Sequence, residues 1–156
     1  MFDPETVGLL ESGCSISVAT VSPDGAPRAS RGWGLTVLPD GARVRLLLDA
    51  DDRTTIANLA GGGAIAVTGV AVPTQRAVQL KGQADEPVAT SDAGDLARAA
   101  RHCESFFADV YSLEGTPVVL LERLRPTAFA ACTVTVTDVY DQTPGPVAGS
   151  PLRGAS

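Results

Sequence analysis

Arg53, Thr54 and Thr55 are the residues of this chain most suited to binding an anion. A predicted strand ends just before them, and Asp51 and Asp52 supply acidic caps for the helix that they open. Backbone N–H groups, two hydroxyls and one guanidinium would then meet at a single spot, which favours a phosphate or a similar anion. The same pattern is also typical of a plain helix start beside a solvated arginine, and the local sequence leaves both interpretations open.

Nucleophilic catalysis has weak support, because the chain contains a single histidine, His102. A serine or cysteine nucleophile needs a base within hydrogen-bonding reach. The helical phase of His102 places it off the apolar stripe of a predicted helix, so we expect a surface histidine. No catalytic residue is named from the sequence.

Metal and disulfide chemistry are disfavoured as well. Cys14, Cys103 and Cys132 are odd in number and widely spaced among apolar neighbours, which predicts buried thiols. A lone histidine excludes metal sites that need two, and the aspartates at positions 49–52 do not have the spacing of a calcium loop. We predict no metal site.

The acidic composition argues against polyanionic partners. The 156 residues carry a formal net charge of -6. Nucleic acids and anionic membranes attract clustered lysine and arginine, so we predict neither as a partner. The first residues show no basic start and no long apolar run, so we predict neither a signal peptide nor a membrane anchor. We therefore expect a cytoplasmic location.

Short strands separated by glycine and proline turns account for most of the chain. Strands are predicted near 15–22, 27–37, 43–48, 64–68 and 76–82, with a β-rich region after Pro117 that includes Thr133–Thr137. Helices are predicted from Pro4, over 53–59 and from Ser91, the last burying Leu96, Ala99, Ala100, Cys103, Phe106, Phe107 and Val110. This pattern is typical of a mainly β, α+β domain, an antiparallel barrel or sandwich whose helices cover the open ends. We predict one domain over 1–140 and a Pro/Gly-rich tail over 141–156 that is either loose or held by a partner.

Six segments carry a resemblance to a known family. They are Val18–Pro27, Ser30–Trp33, Leu46–Asp49, Arg53–Leu59, Ile65–Val67 and Val78–Gly82. In their order and spacing they resemble the pyridoxamine 5'-phosphate oxidase-like split barrels, from the opening hairpin onward. The resemblance covers about residues 5–86, and Tyr140–Gly149 is similar to the ending of some members.

This resemblance implies a six-stranded antiparallel split β-barrel with flanking helices, a homodimer, and FMN in a groove at the dimer interface. By position, Arg53, Thr54 and Thr55 would bind the FMN phosphate, and Arg31 would face the flavin ring or its phosphate-ribityl chain. The remaining cofactor-binding positions that it implies are Trp33, Arg76, Gln79 and Lys81. Trp33 is equally consistent with a core residue.

Two departures from the family pattern affect the site. Thr54-Thr55 stand where Arg-Lys is frequent, and Ala77 stands where a glutamine usually contacts the flavin. Gln79 and Lys81 could compensate for Ala77 from the same strand.

The predicted function is an FMN-dependent oxidoreductase that acts on an unknown small substrate, with the flavin performing the transfer. Vitamin B6 oxidation is not predicted, because the chain after Arg125 lacks the histidine that the oxidase itself uses. Two alternatives stay open: a non-catalytic module of the same fold that binds flavin or haem, and a reductase that uses the deazaflavin F420.

Overall fold

The computed structural model describes residues 2–152. Its strands are β1 (Ser15–Val21), β2 (Pro27–Val37), β3 (Arg43–Asp49), β4 (Gly63–Val70), β5 (Ala77–Ala84), β6 (Val88–Thr90) and β7 (Phe129–Asp141). Its helices are α1 (Pro4–Glu11), α2 (Arg53–Asn58), α3 (Ala93–Glu114) and α4 (Val118–Leu121), followed by a 3₁₀ helix at Glu122–Leu124. None of the helices within this range has the length and apolar character needed to cross a bilayer.

Six of the strands close into an antiparallel barrel. They are hydrogen-bonded in the order β3-β2-β1-β4-β5-β7, and β7 also pairs with β3 to complete the ring. Long β7 makes this possible, since Phe129–Thr135 pair with β3 and Val134–Asp141 pair with β5. The short β6 adds to the start of β7. The predicted six-stranded barrel with flanking helices is confirmed.

Alternation of side chains along the strands separates a packed interior from an outer face. In β1, Ile16, Val18 and Thr20 are buried, whereas Ser17 and Ala19 point outward and are exposed. The inward residues of the barrel form one apolar cluster that includes Leu35, Leu46, Leu48, Val67, Leu80 and Val134. Burial of this area provides the main stabilising term of the fold.

Helices α1 and α3 cover different parts of the barrel. Asp3 caps α1, whose Leu9 and Leu10 pack into the core cluster. Helix α3 lies on the outer face of the barrel, where Ala99 packs against Leu47 of β3. As a result, part of the outer surface is covered by α3, and the outer face of β1, β4 and β5 is not covered by any helix within residues 2–152.

The buried thiols are confirmed. All three cysteines are free and buried. Burial raises the pKa of Cys14 to about 11 and that of Cys132 to about 12, so both thiols stay protonated at neutral pH.

The prediction of a surface His102 is wrong. His102 is only 4% exposed, because the segment from Glu11 to Gly13 packs against the side of α3 on which His102 lies. Leu96, predicted to be buried, is 42% exposed, whereas its neighbour Asp95 is buried and bonded to Arg45 of β3. The burial of His102 shows that α3 contacts a second surface, at Glu11–Gly13, whereas a helical period describes only one.

The C-terminal third also differs from the prediction. Helix α4 and the 3₁₀ helix occupy part of the region predicted as β-rich after Pro117, and β6 was not predicted. Residues 142–152 fold back on their own chain: the Leu152 N–H donates to the Val139 carbonyl at 2.8 Å, and Tyr140 forms a β-bridge with Pro151. The remaining positions of the predicted tail, 153–156, lie outside the described residues.

Gly82 of β5 is a position where a larger residue does not fit. A Cβ there would collide with the carbonyl oxygen of Thr135 on β7, beside the bulge at Lys81 and Gly82. Gly82→Ala is expected to lower the free energy of unfolding by about 2 kcal/mol, because the two backbones would have to separate. Urea unfolding followed by circular dichroism measures this. Gly8→Ala, with open space around it on α1, is the matched control and should be neutral or stabilising; equal losses in both variants would contradict the steric argument.

Candidate cofactor site

The start of α2 forms a corner at one end of the barrel, made of Arg28 and residues 52–55. Asp52 caps the helix: its carboxylate accepts from the Thr55 N–H at 3.2 Å and from the Thr55 hydroxyl at 2.7 Å. Arg28 of β2 donates to the same carboxylate at 3.2 Å. Burial pushes the pKa of Asp52 upward, but the hydrogen bonds from Thr55 and the charge of Arg28 outweigh it, so this pKa lies below its ordinary value.

Thr55 and its two neighbours therefore differ in what they offer a ligand. Thr55 is buried and its hydroxyl is used in the cap, so it supports the corner from within. Arg53 and Thr54 are exposed, and Arg53 forms no ion pair with any residue from 2 to 152. A guanidinium and a hydroxyl are thus free to meet an anion from solvent, and Arg28 balances the charge of Asp52.

Beside the corner lies the uncovered outer surface of β1, β4 and β5, with the edge of β2; we call it the sheet face. One register row runs across it, formed by Arg31, Ser17, Thr68, Gln79 and Tyr140. The next row toward the corner consists of the small residues Ala29, Ala19 and Ala66, followed by Lys81. Consecutive rows are about 7 Å apart. The small side chains leave room for a flat ring system between the row from Arg31 to Tyr140 and the corner.

Gln79 and Lys81 are held in place on the sheet face. The Gln79 amide donates to the Thr68 hydroxyl at 3.0 Å, and its oxygen accepts from the Gln142 amide at 3.4 Å. The Lys81 ammonium lies 4.9 Å from the centroid of the Tyr140 ring, in a cation–π contact. The folded-back tail thus orders the polar end of this face.

Comparison with solved structures identifies this architecture. The chain matches no protein-family model and no curated protein. HupZ from Group A Streptococcus has a TM-score of 0.57 at 17% identity, over 96% of this chain and 100% of that one. A candidate pyridoxamine 5'-phosphate oxidase from Lactobacillus delbrueckii has 0.52 at 18% identity, over 89% and 93%. The chain has the pyridoxamine 5'-phosphate oxidase-like split-barrel fold. An F420 reductase shares it, with a TM-score of 0.52 at 19% identity over 85% of this chain and 93% of that one.

Arg76 is separated from the corner within the split barrel. It lies just before β5 and forms an ion pair with Glu5 of α1. The corner lies at the opposite end of the barrel strands, where the side-chain amide of Asn58 in α2 donates to the Thr20 hydroxyl of β1 at 3.0 Å. About five strand residues, or roughly 17 Å, separate the two ends. One chain therefore does not bring Arg76 and Arg53 to the same ligand phosphate.

Trp33 belongs to the packing between the split barrel and α3. It is buried in a cluster with Cys103, Phe106 and Phe107, which favours the core alternative over ring stacking. Arg31 lies at the margin of that cluster, with its guanidinium carbon 5.1 Å from the Phe106 centroid and 5.8 Å from that of Trp33. Arg31 thus joins the sheet face to the covered part of the barrel.

Several residues of the site were missed by the sequence reasoning. Arg28 and Asp52 form the corner together, and Ser17, Thr68 and Tyr140 belong to the sheet face. Asp52 was recognised as a cap only. The outward phase of Ser17 on β1 was visible in the sequence, but its neighbours on the face depend on strand pairing across the barrel.

Proposed function

We propose that this chain is an FMN-binding oxidoreductase that holds the flavin between the sheet face of one subunit and a second copy. The observation that supports it most is the sheet face, whose row of small residues on β2, β1 and β4 lies toward the corner where Arg53 and Thr54 are free. The split-barrel fold, shared with a candidate pyridoxamine 5'-phosphate oxidase, supports the choice of cofactor.

The donors of the corner fit a phosphate. Arg53 would form a charge-assisted hydrogen bond to it, and Thr54 would donate its hydroxyl. Asp52 would not repel the phosphate strongly, because Arg28 pairs with its carboxylate. Bound there, FMN supplies hydride or electron transfer, while the protein positions the ring and excludes water.

A second copy would complete the site. Within residues 2–152 no helix covers the small residues of β1 and β4, and small side chains there allow close approach of another sheet. Arg76, at the far end of one barrel, could reach the phosphate bound by the other subunit once its ion pair with Glu5 opens.

Two measurements test this proposal. The purified protein should show the visible absorption bands of flavin, or acquire them with added FMN, and should elute as a dimer in size-exclusion chromatography with light scattering. Ala66→Arg places a long charged chain on the sheet face and is expected to yield monomers that bind FMN at least tenfold more weakly.

Ala42→Arg is the matched control, since Ala42 is an exposed alanine in the β2–β3 connection away from that face. It should leave the dimer and FMN binding unchanged. A colourless wild-type protein that takes up no FMN would refute the flavin proposal, and an unaffected Ala66→Arg variant would remove the sheet face from it.

A second candidate function is an F420-dependent reductase. It is supported by the fold shared with an F420 reductase. Thermal shift measurements with FMN and with F420 separate the two, because the cofactor that binds the folded state raises the melting temperature. A non-catalytic binding module would bind flavin without NAD(P)H-driven turnover above that of free FMN.

A further inference from the structure

The guanidinium of Arg31 has no anionic partner among residues 2–152, although two aromatic rings hold it in position. Phe106 and Trp33 flank it at 5.1 and 5.8 Å. Cation–π contacts fix the plane of a guanidinium but leave its N–H donors free in that plane. Arg31 is an exposed residue, so a ligand can approach those donors from solvent.

In addition to burial, Arg98 of α3 acts with Arg31 to lower the pKa of His102, and it is itself paired with Glu11. Arg98 donates to the Glu11 carbonyl at 2.9 Å, and its other terminal nitrogen is 3.5 Å from the Glu11 carboxylate. That carboxylate also accepts from the Val37 N–H at 2.8 Å, so Glu11 is occupied by Arg98 and the barrel edge. Glu11 is therefore not available to neutralise the charge of Arg31.

His102 lies beside Phe106, the ring that also contacts Arg31. Its ring stacks on Phe106 with centroids 6.1 Å apart, and its buried Nδ1 has no hydrogen-bond partner. Burial lowers the pKa of His102 to about 4, a contact with the Ser12 backbone opposes this, and the charges of Arg31 and Arg98 lower it further. The imidazole is thus neutral at pH 7, with one nitrogen unsatisfied beside two arginines.

We propose that Arg31, Phe106 and His102 form a binding site for a small aromatic carboxylate. The planar fork of Arg31 matches the two oxygens of a carboxylate, which supplies the acceptor that the Arg31 donors lack. The ring of the ligand would lie toward Ser17, which pairs with Arg31 across β1 and β2 and leaves the sheet face flat there. This inference rests on the proposed function for the role of the ligand as substrate, but the binding step needs no flavin.

Benzoate is the probe. His102 is the only histidine of the chain, so its ring resonances in an NMR titration are unambiguous once any purification tag is removed. Benzoate added to flavin-free protein should shift these resonances in a saturable way and raise the pKa of His102 above about 4, because a nearby anion favours the imidazolium.

Arg31→Gln should weaken benzoate binding by at least tenfold, and Arg31→Lys, which keeps the charge without the fork, by severalfold. Arg101→Gln, at an exposed residue on the same helix, should bind benzoate as the wild type does. Three results would each overturn the proposal: unshifted His102 resonances in excess benzoate, wild-type affinity in both Arg31 variants, or sulfate binding as tightly as benzoate.

An FMN titration on the same samples separates this inference from the proposed function. Benzoate binding without FMN binding would leave the carboxylate site standing and refute the oxidoreductase. FMN binding without benzoate binding would do the reverse.

Discussion

Arg53→Gln is expected to weaken FMN binding by about tenfold to a hundredfold, the range for losing one charged hydrogen bond. Arg53 forms no ion pair within residues 2–152 and is exposed, so the substitution should change the free energy of unfolding by less than about 0.5 kcal/mol. Quenching of flavin fluorescence measures the affinity. The loss should shrink as salt is added, because part of it is the attraction between guanidinium and phosphate.

Arg123→Gln is the matched control for that experiment. Arg123 is also exposed and also without an ion pair in the described part of the chain, but it lies in the 3₁₀ helix after α4. Both variants change the net charge equally, so a general electrostatic effect would weaken FMN binding in both. Equal affinity of Arg53→Gln and wild type would place the phosphate somewhere other than the corner.

Local chemistry explains why the first half of the barrel could be predicted. The hairpin from β1 to β2 turns at Pro23-Asp24-Gly25, where Gly25 has a φ of 89°. Along β1, buried and exposed residues alternate as the sequence predicts. The cap of α2 by Asp52 is equally local, since donor and acceptor are three residues apart. Short-range rules are sufficient for such elements.

What could not be predicted depends on contacts between distant parts of the chain. Barrel closure pairs Arg43–Asp49 with Phe129–Thr135, and no local period encodes that register. His102 is buried by a segment some ninety residues earlier, at Glu11–Gly13. The site follows the same division: the position of Arg53 could be predicted, whereas the pairing of Arg28 with Asp52 could not.

Asp95→Ala is expected to lower the free energy of unfolding by about 3 kcal/mol, because a buried carboxylate with several charged hydrogen bonds is removed. Asp95 is buried in the first turn of α3 and accepts from Arg45 of β3 at 2.7 and 2.6 Å and from the Thr90 hydroxyl at 2.6 Å. It therefore ties the helix to two strands. Calorimetry should show a melting temperature roughly 6–12 °C lower for a chain of this size. Glu104→Ala, at an exposed position of the same helix, should have little effect.

The pH dependence of that loss distinguishes an ionised carboxylate from simple packing. The hydrogen bond from Arg45, aided by Thr90 and by the charge of Arg45, holds the pKa of Asp95 below its ordinary value against the opposing effect of burial. A carboxylate with a lowered folded-state pKa contributes stability above its unfolded pKa of about 4 and loses that contribution as the pH falls through the folded value. The stability difference between wild type and Asp95→Ala should hence stay constant from pH 7 to about pH 5 and decrease below about pH 4. A difference that persists unchanged at low pH would mean that shape, and not charge, anchors α3 to the barrel.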